Sequence, residues 1–183
     1  MRPTYAWRVA FLAVLLSVFA LSSSAWAQDS KSAALAQELT ALLDKGQVDA
    51  IAARDPSAPD LYVAALYFQG SQLLVVSSRY SVPSILNDRL AKKEYREVYT
   101  DLNSASVPGT RVLVMDMGAD GLKPKQEDAR IDTYDVGNTA YAFDGDWKKQ
   151  KMASEEAYAK AFADADARYA KMLTVLIAQA KKK

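Results

Sequence analysis

Apolar positions crowd most densely, outside the first 27 residues, between Leu61 and Arg79, in LYVAALYFQGSQLLVVSSR. β-Branched and aromatic residues on both sides of Gln69-Gly70-Ser71-Gln72 predict two β-strands joined by a turn. In the first strand both alternating sets are apolar: Tyr62, Ala64, Leu66 and Phe68, and also Leu61, Val63, Ala65 and Tyr67. A strand that buries both faces belongs in a barrel or beneath a helix. The second strand ends in Ser77-Ser78-Arg79, the first polar, cationic group after the dry run, which makes this junction a candidate ligand site.

The flanking patterns supply the other elements. Leu35, Leu39, Leu42 and Leu43 predict a helix over residues 30–45, with Gly46 as its stop. Residues 47–54 fit either a short helix or an entering strand, and residues 55–60 (DPSAPD) form a turn by composition. Ser81-Val82-Pro83-Ser84 opens a helix running to about Lys93. The Tyr, Val and Thr content of residues 94–102 (EYREVYTDL) predicts a strand. Residues 103–109 form a loop, and residues 110–115 (TRVLVM) a further strand. Residues 118–128 are polar and turn-rich, which predicts a mobile loop. Two short strands follow around Val136-Gly137-Asn138. From about Ala153 to Gln179 one apolar stripe, Tyr158, Phe162, Ala165, Tyr169, Leu173, Leu176 and Ala180, steps by three or four. Ser154 caps this long helix, and Glu155 and Glu156 complement its dipole. About six strands with flanking helices predict an α+β fold, with a closed or split barrel favoured over a flat sheet.

The first 27 residues read differently. Arg2 and Arg8 precede the uncharged apolar run Val9–Leu21, and Ala25-Trp26-Ala27 has the small-x-small pattern of a signal-peptidase site. The run is shorter than the roughly 20 apolar residues of a membrane span. A cleavable signal peptide over 1–27 predicts a periplasmic or secreted protein, without stable membrane insertion, whose residues 28–183 form one domain.

Composition narrows the chemistry. The chain has no His and no Cys. That removes Ser-His-Asp and Cys-His catalysis and metal sites built on imidazole or thiolate. Disulfides are removed too, so the fold rests on its core. A formal net charge of +1 gives no electrostatic case for nucleic acid.

The series AIAARDP, YVAALYF, a Gly turn, LLVVSSR and a helix resembles the FMN-binding split-barrel family that includes the pyridoxamine-phosphate oxidases. The resemblance covers residues 50–115. It implies a split β-barrel and a homodimer with a site between two chains. It also implies a flavin phosphate near Ser77, Ser78 and Arg79, where a guanidinium and two hydroxyls would supply charge-assisted hydrogen bonds.

Other patterns have plainer readings. Asp116, Asp120, Gly121 and Glu127 in DMGADGLKPKQE occupy positions of a calcium loop, but Gly118, Pro124 and two lysines make it an acidic turn. The strand tyrosines read as core edges, and Lys181-Lys182-Lys183 as a basic helix end. The pairs Asp144/Asp146, Glu155/Glu156 and Asp164/Asp166 fall in turns or on helix faces, and form no catalytic pair. Two functions remain open: an exported domain that binds a small ligand or protein partner, or an FMN-dependent oxidoreductase whose flavin does the hydride chemistry.

Overall fold

Each strand pairs antiparallel with the next in sequence, giving one six-stranded sheet of order β1-β2-β3-β4-β5-β6. This computed structural model describes residues 30–79, 88–103, 112–126 and 130–182. Helix α1 (Lys31–Gly46) leads into β1 (Ala50–Asp55), β2 (Ala58–Phe68) and β3 (Gln72–Ser78). Helix α2 (Tyr95–Asn103), β4 (Val112–Met117), β5 (Thr133–Val136), β6 (Thr139–Ala142) and α3 (Glu155–Ala180) follow. No helix among the described residues is long and apolar enough to cross a membrane.

The doubly apolar hairpin is buried by helices on both sides. Val63, Ala65, Tyr67, Leu73 and Val75 join Leu39 and Leu43 of α1 and Phe162, Tyr169 and Leu173 of α3 in the larger core. Ala64, Leu66, Leu74 and Val76 pack with Val98 of α2 on the opposite face. The strands stay an open meander: β1 pairs with β2 and β6 with β5, so the sheet does not close into the barrel that the apolar strands suggested. A second helical layer meets the same burial requirement that barrel closure would.

The strand expected over 94–102 is a helix instead. Tyr95 and Val98, three residues apart, pack on the sheet, while Arg96, Glu97 and Thr100 are exposed. The periodicity is helical, and packing on a preformed apolar face outweighs β-propensity. Most of the helix expected over 81–93 lies outside the described residues, although residues 88–91 are helical. The ambiguous stretch before the hairpin is strand β1.

Helix ends are set by side chains as well as by local sequence. Ser154 Oγ accepts the Ala157 N–H at 3.2 Å, capping α3 as expected. Gln47, not Gly46, takes the left-handed position that ends α1, with φ 52°. The N-terminus of α1 is capped from a distance. Asp166 of α3 accepts from Ser30 Oγ at 2.7 Å, the Lys31 N–H at 2.7 Å and the Ser32 N–H at 3.0 Å.

Candidate ligand-binding site

Ser77 and Ser78 close β3, opposite Val63 and Tyr62 of β2. Adjacent strand residues point to opposite faces. Ser77 therefore shares the α1/α3 side with Leu73 and Val75, and Ser78 the α2 side with Leu74 and Val76. Both serines are buried, and Ser78 Oγ has no hydrogen-bond partner among the described residues. Arg79 is exposed past the strand's end, its Nε 3.8 Å from the Asp60 carboxylate. The three groups do not converge, so they do not fit one phosphate held by all of them within a single chain.

A larger polar concentration lies at the other end of β3, about 20 Å away at the usual strand rise. There the β2–β3 turn meets the loop after β4, the Gly118 N–H donating to the Ser71 carbonyl at 2.9 Å. Between them is a cavity of about 630 Å³, lined by Gly70, Met117, Gly118, Asp120, Lys123, Lys125, Gln126 and Arg130.

Far from being loosely held, this loop has every backbone N–H from Met117 to Lys123 hydrogen-bonded. Asp116, fully buried at the end of β4, accepts the Asp120 N–H at 3.1 Å, the Gly121 N–H at 2.8 Å and the Tyr169 hydroxyl at 3.0 Å. Asp132 accepts the Met117 and Lys123 N–H groups, each at 2.8 Å. Ser32 Oγ of α1 accepts the Leu122 N–H at 3.0 Å, and the Tyr158 hydroxyl donates to the Pro124 carbonyl at 2.9 Å. Gly121 has φ +93°, and a Cβ there would lie 2.4 Å from Ala33 Cα of α1. Only glycine fits this contact. Over residues 118–126 the loop expected to be mobile is instead held by these hydrogen bonds, because composition registers polarity but not the acceptors that distant segments bring; residues 127 and 128 lie outside the described residues.

The same carboxylates explain the electrostatics. Burial pushes the Asp132 carboxyl up to about 7, with neighbouring Asp116 adding to the shift against the Met117 and Lys123 N–H bonds. Burial also raises Asp116, against the N–H bonds from Gly121 and Asp120 and the Tyr169 hydroxyl. Tyr169 lies well above an ordinary phenol, through burial first and the Asp116 charge second. At the cavity itself, Lys123 Nζ is 2.5 Å from Asp120 Oδ2, and that contact raises the lysine. Asp120 Oδ1 and Gln126 Oε1 are buried without a hydrogen-bond partner among the described residues.

The stretch that resembled a calcium loop thus has another role. Asp116, its first acidic position, is surrounded by N–H and O–H donors, the wrong polarity for a cation shell. Among the described residues no three Asp or Glu side chains group as metal ligands do. The sequence signal for this site is the close spacing of Lys123, Lys125 and Arg130; the first two argue against a calcium loop and are equally suited to an anion. No family model, curated protein or solved structure matches this chain.

Proposed function

We propose that this chain is an exported binding domain for a small polar anion, held in the cavity between the β2–β3 turn and the loop after β4. The supporting observation is the meeting of Lys123, Lys125 and Arg130 around a space with one carboxylate, Asp120, among its described lining residues. Lysine and arginine there supply charge-assisted hydrogen bonds to a carboxylate or phosphate. Asp120 Oδ1 and Gln126 Oε1 have no donor among the described residues, which favours a ligand that also carries hydroxyl or amine groups. The volume of about 630 Å³ lies within the range of about 300–1,000 Å³ usual for small-molecule sites. Asp116 and Asp132 are committed to backbone N–H groups, which supports binding over acid–base chemistry. The Arg2 to Ala27 leader supports export.

The test is thermal denaturation of residues 28–183 with inorganic phosphate, citrate or glucose 6-phosphate. A ligand at about 100 times its Kd stabilises the native state by about 2.7 kcal/mol. For a domain of this size that raises the midpoint by about 5–10 °C. The shift should vanish in the Lys123→Ala/Lys125→Ala double variant. A midpoint that none of the three moves, or a shift that survives the double substitution, refutes this site.

One observation favours a second reading. The Ser78 hydroxyl, adjacent in sequence to Arg79 and without a hydrogen-bond partner among the described residues, supports the flavin implied by the split-barrel resemblance. Flavin absorbance retained after FMN incubation, and lost in Arg79→Ala, would move the ligand to that end of β3.

A further inference from the structure

We propose that the outer edge of β1 receives an extended peptide from another protein, which joins the sheet as a seventh strand. The Tyr67 N–H donates to the Asp49 carbonyl at 2.8 Å, and the register then pairs Ala50 with Leu66 and Ile51 with Ala65. Hydrogen-bonded and non-bonded pairs alternate along an antiparallel ladder. Ile51 and Ala53 therefore bond to β2, while Ala50 and Ala52 direct their N–H and C=O groups away from it. Among the described residues, β2 is the only strand paired with β1.

Sheet edges are ordinarily blunted by lysine, proline, a bulge or a covering segment. From Ala50 to Ala53 this edge has no charge and no proline, and its bulge comes only at Arg54/Asp55. The edge instead faces a groove of about 430 Å³, walled by Leu90, Ala91, Lys93, Tyr95 and Gln179. A second hollow of about 230 Å³ shares Asp49 and Tyr95 with it and is otherwise lined mainly by Leu66, Tyr67 and Phe68. Phe68 is the one large apolar side chain exposed among the described residues, at 41%.

These features define the occupant. The backbone groups of Ala50 and Ala52 take an extended main chain, as in strand addition. The Phe68 hollow takes an aliphatic or aromatic side chain, and Asp49, between the two hollows, takes a lysine or arginine beside that anchor. A second copy of this chain fits less well. Self-pairing of β1 about a two-fold axis at Ala52 would set Asp49 opposite Asp55, and like charges directly opposite destabilise a ladder.

The experiment selects a phage-displayed library of random linear heptapeptides on residues 28–183. Selected peptides are then measured by fluorescence anisotropy. Enrichment of alternating apolar residues with a lysine or arginine next to the anchor is expected. Ala52→Pro removes an outward N–H that β2 does not use, so it spares the ladder. It should weaken those peptides by about tenfold or more, the equivalent of one net hydrogen bond. Asp49→Lys should reverse the preference from basic to acidic peptides, which keeps the test decisive if Ala52→Pro fails to fold. No enrichment, or peptides indifferent to both substitutions, overturns the proposal. So does sedimentation showing a dimer that Ala52→Pro dissociates, because the edge would then belong to a second copy.

Discussion

Asp166→Asn tests a hydrogen-bond link between residues 134 to 136 positions apart in the chain. The substitution keeps the shape of a side chain that is 4% exposed, so it opens no cavity. One amide oxygen can still accept from Ser30 Oγ and the Ser32 N–H, as Oδ1 does at 2.7 and 3.0 Å. The amide nitrogen must then replace Oδ2 and face the Lys31 N–H, donor against donor, where a 2.7 Å charge-assisted bond now stands. A hydrogen bond to a charged group contributes about 1.5–3 kcal/mol. Loss of a negative charge at a helix N-terminus costs about 0.3–1 kcal/mol more. The expected loss is therefore about 2–4 kcal/mol, or a midpoint lowered by about 5–15 °C. Urea unfolding of parent and variant measures it, with an unchanged m-value as the check that the denatured state is unaltered. Ser30→Ala is the companion variant. It removes one donor, keeps both N–H contacts, and should cost about 1 kcal/mol. An Asp166→Asn loss below about 1 kcal/mol would mean that this carboxylate does not cap α1, and the reasoning would fail.

Three further outcomes follow. Gly121→Ala places a Cβ 2.4 Å from backbone of α1 at a φ of +93°; strain and overpacking together should cost about 2–5 kcal/mol in urea unfolding, and a loss below about 1 kcal/mol would disprove the contact. Asp132, raised by burial to about 7, binds a proton in the native state that an unfolded aspartate releases near 3.9. Its contribution to stability is thus full below about pH 4 and lost as pH rises through about 7. Asp132→Asn, which cannot ionise, should gain stability relative to the parent across that window, and a pH-independent difference in urea midpoint would contradict this. Expression of the full chain in a bacterial host should yield an exported product beginning at Gln28 by mass spectrometry; a retained leader would refute cleavage after Ala27.

What the sequence made legible was whatever depends on near neighbours. The apolar stripe of α3, its Ser154 cap and the hairpin through Gly70 all rest on residues within a few positions of one another, and all appear in the structure. The layer arrangement was less legible, because two apolar faces on β2 are equally compatible with a barrel and with helices on both sides. Residues 94–102 misled because Tyr95 and Val98 suit either period until the face they meet is known. The cavity was least legible. Its cations are close in sequence, but the acceptors that hold their loop include Ser32 and Asp132 as well as the nearby Asp116, and no local pattern joins the first two to Lys123.

The three buried carboxylates share one logic. Asp116, Asp132 and Asp166 are the charged residues buried among the described part of the chain, and no lysine or arginine is buried with them. Each instead accepts at least two backbone N–H groups. An ion pair fixes two side-chain ends, whereas a carboxylate holding successive N–H groups fixes the path of the backbone itself. Here the paths fixed are the start of α1 and the loop after β4, which meet where Ser32 Oγ accepts the Leu122 N–H. Lys123 and the cavity follow directly in sequence. The buried acids therefore serve the proposed ligand site by position, while Lys123, Lys125 and Arg130, the cations proposed to meet the anion, are exposed at its rim.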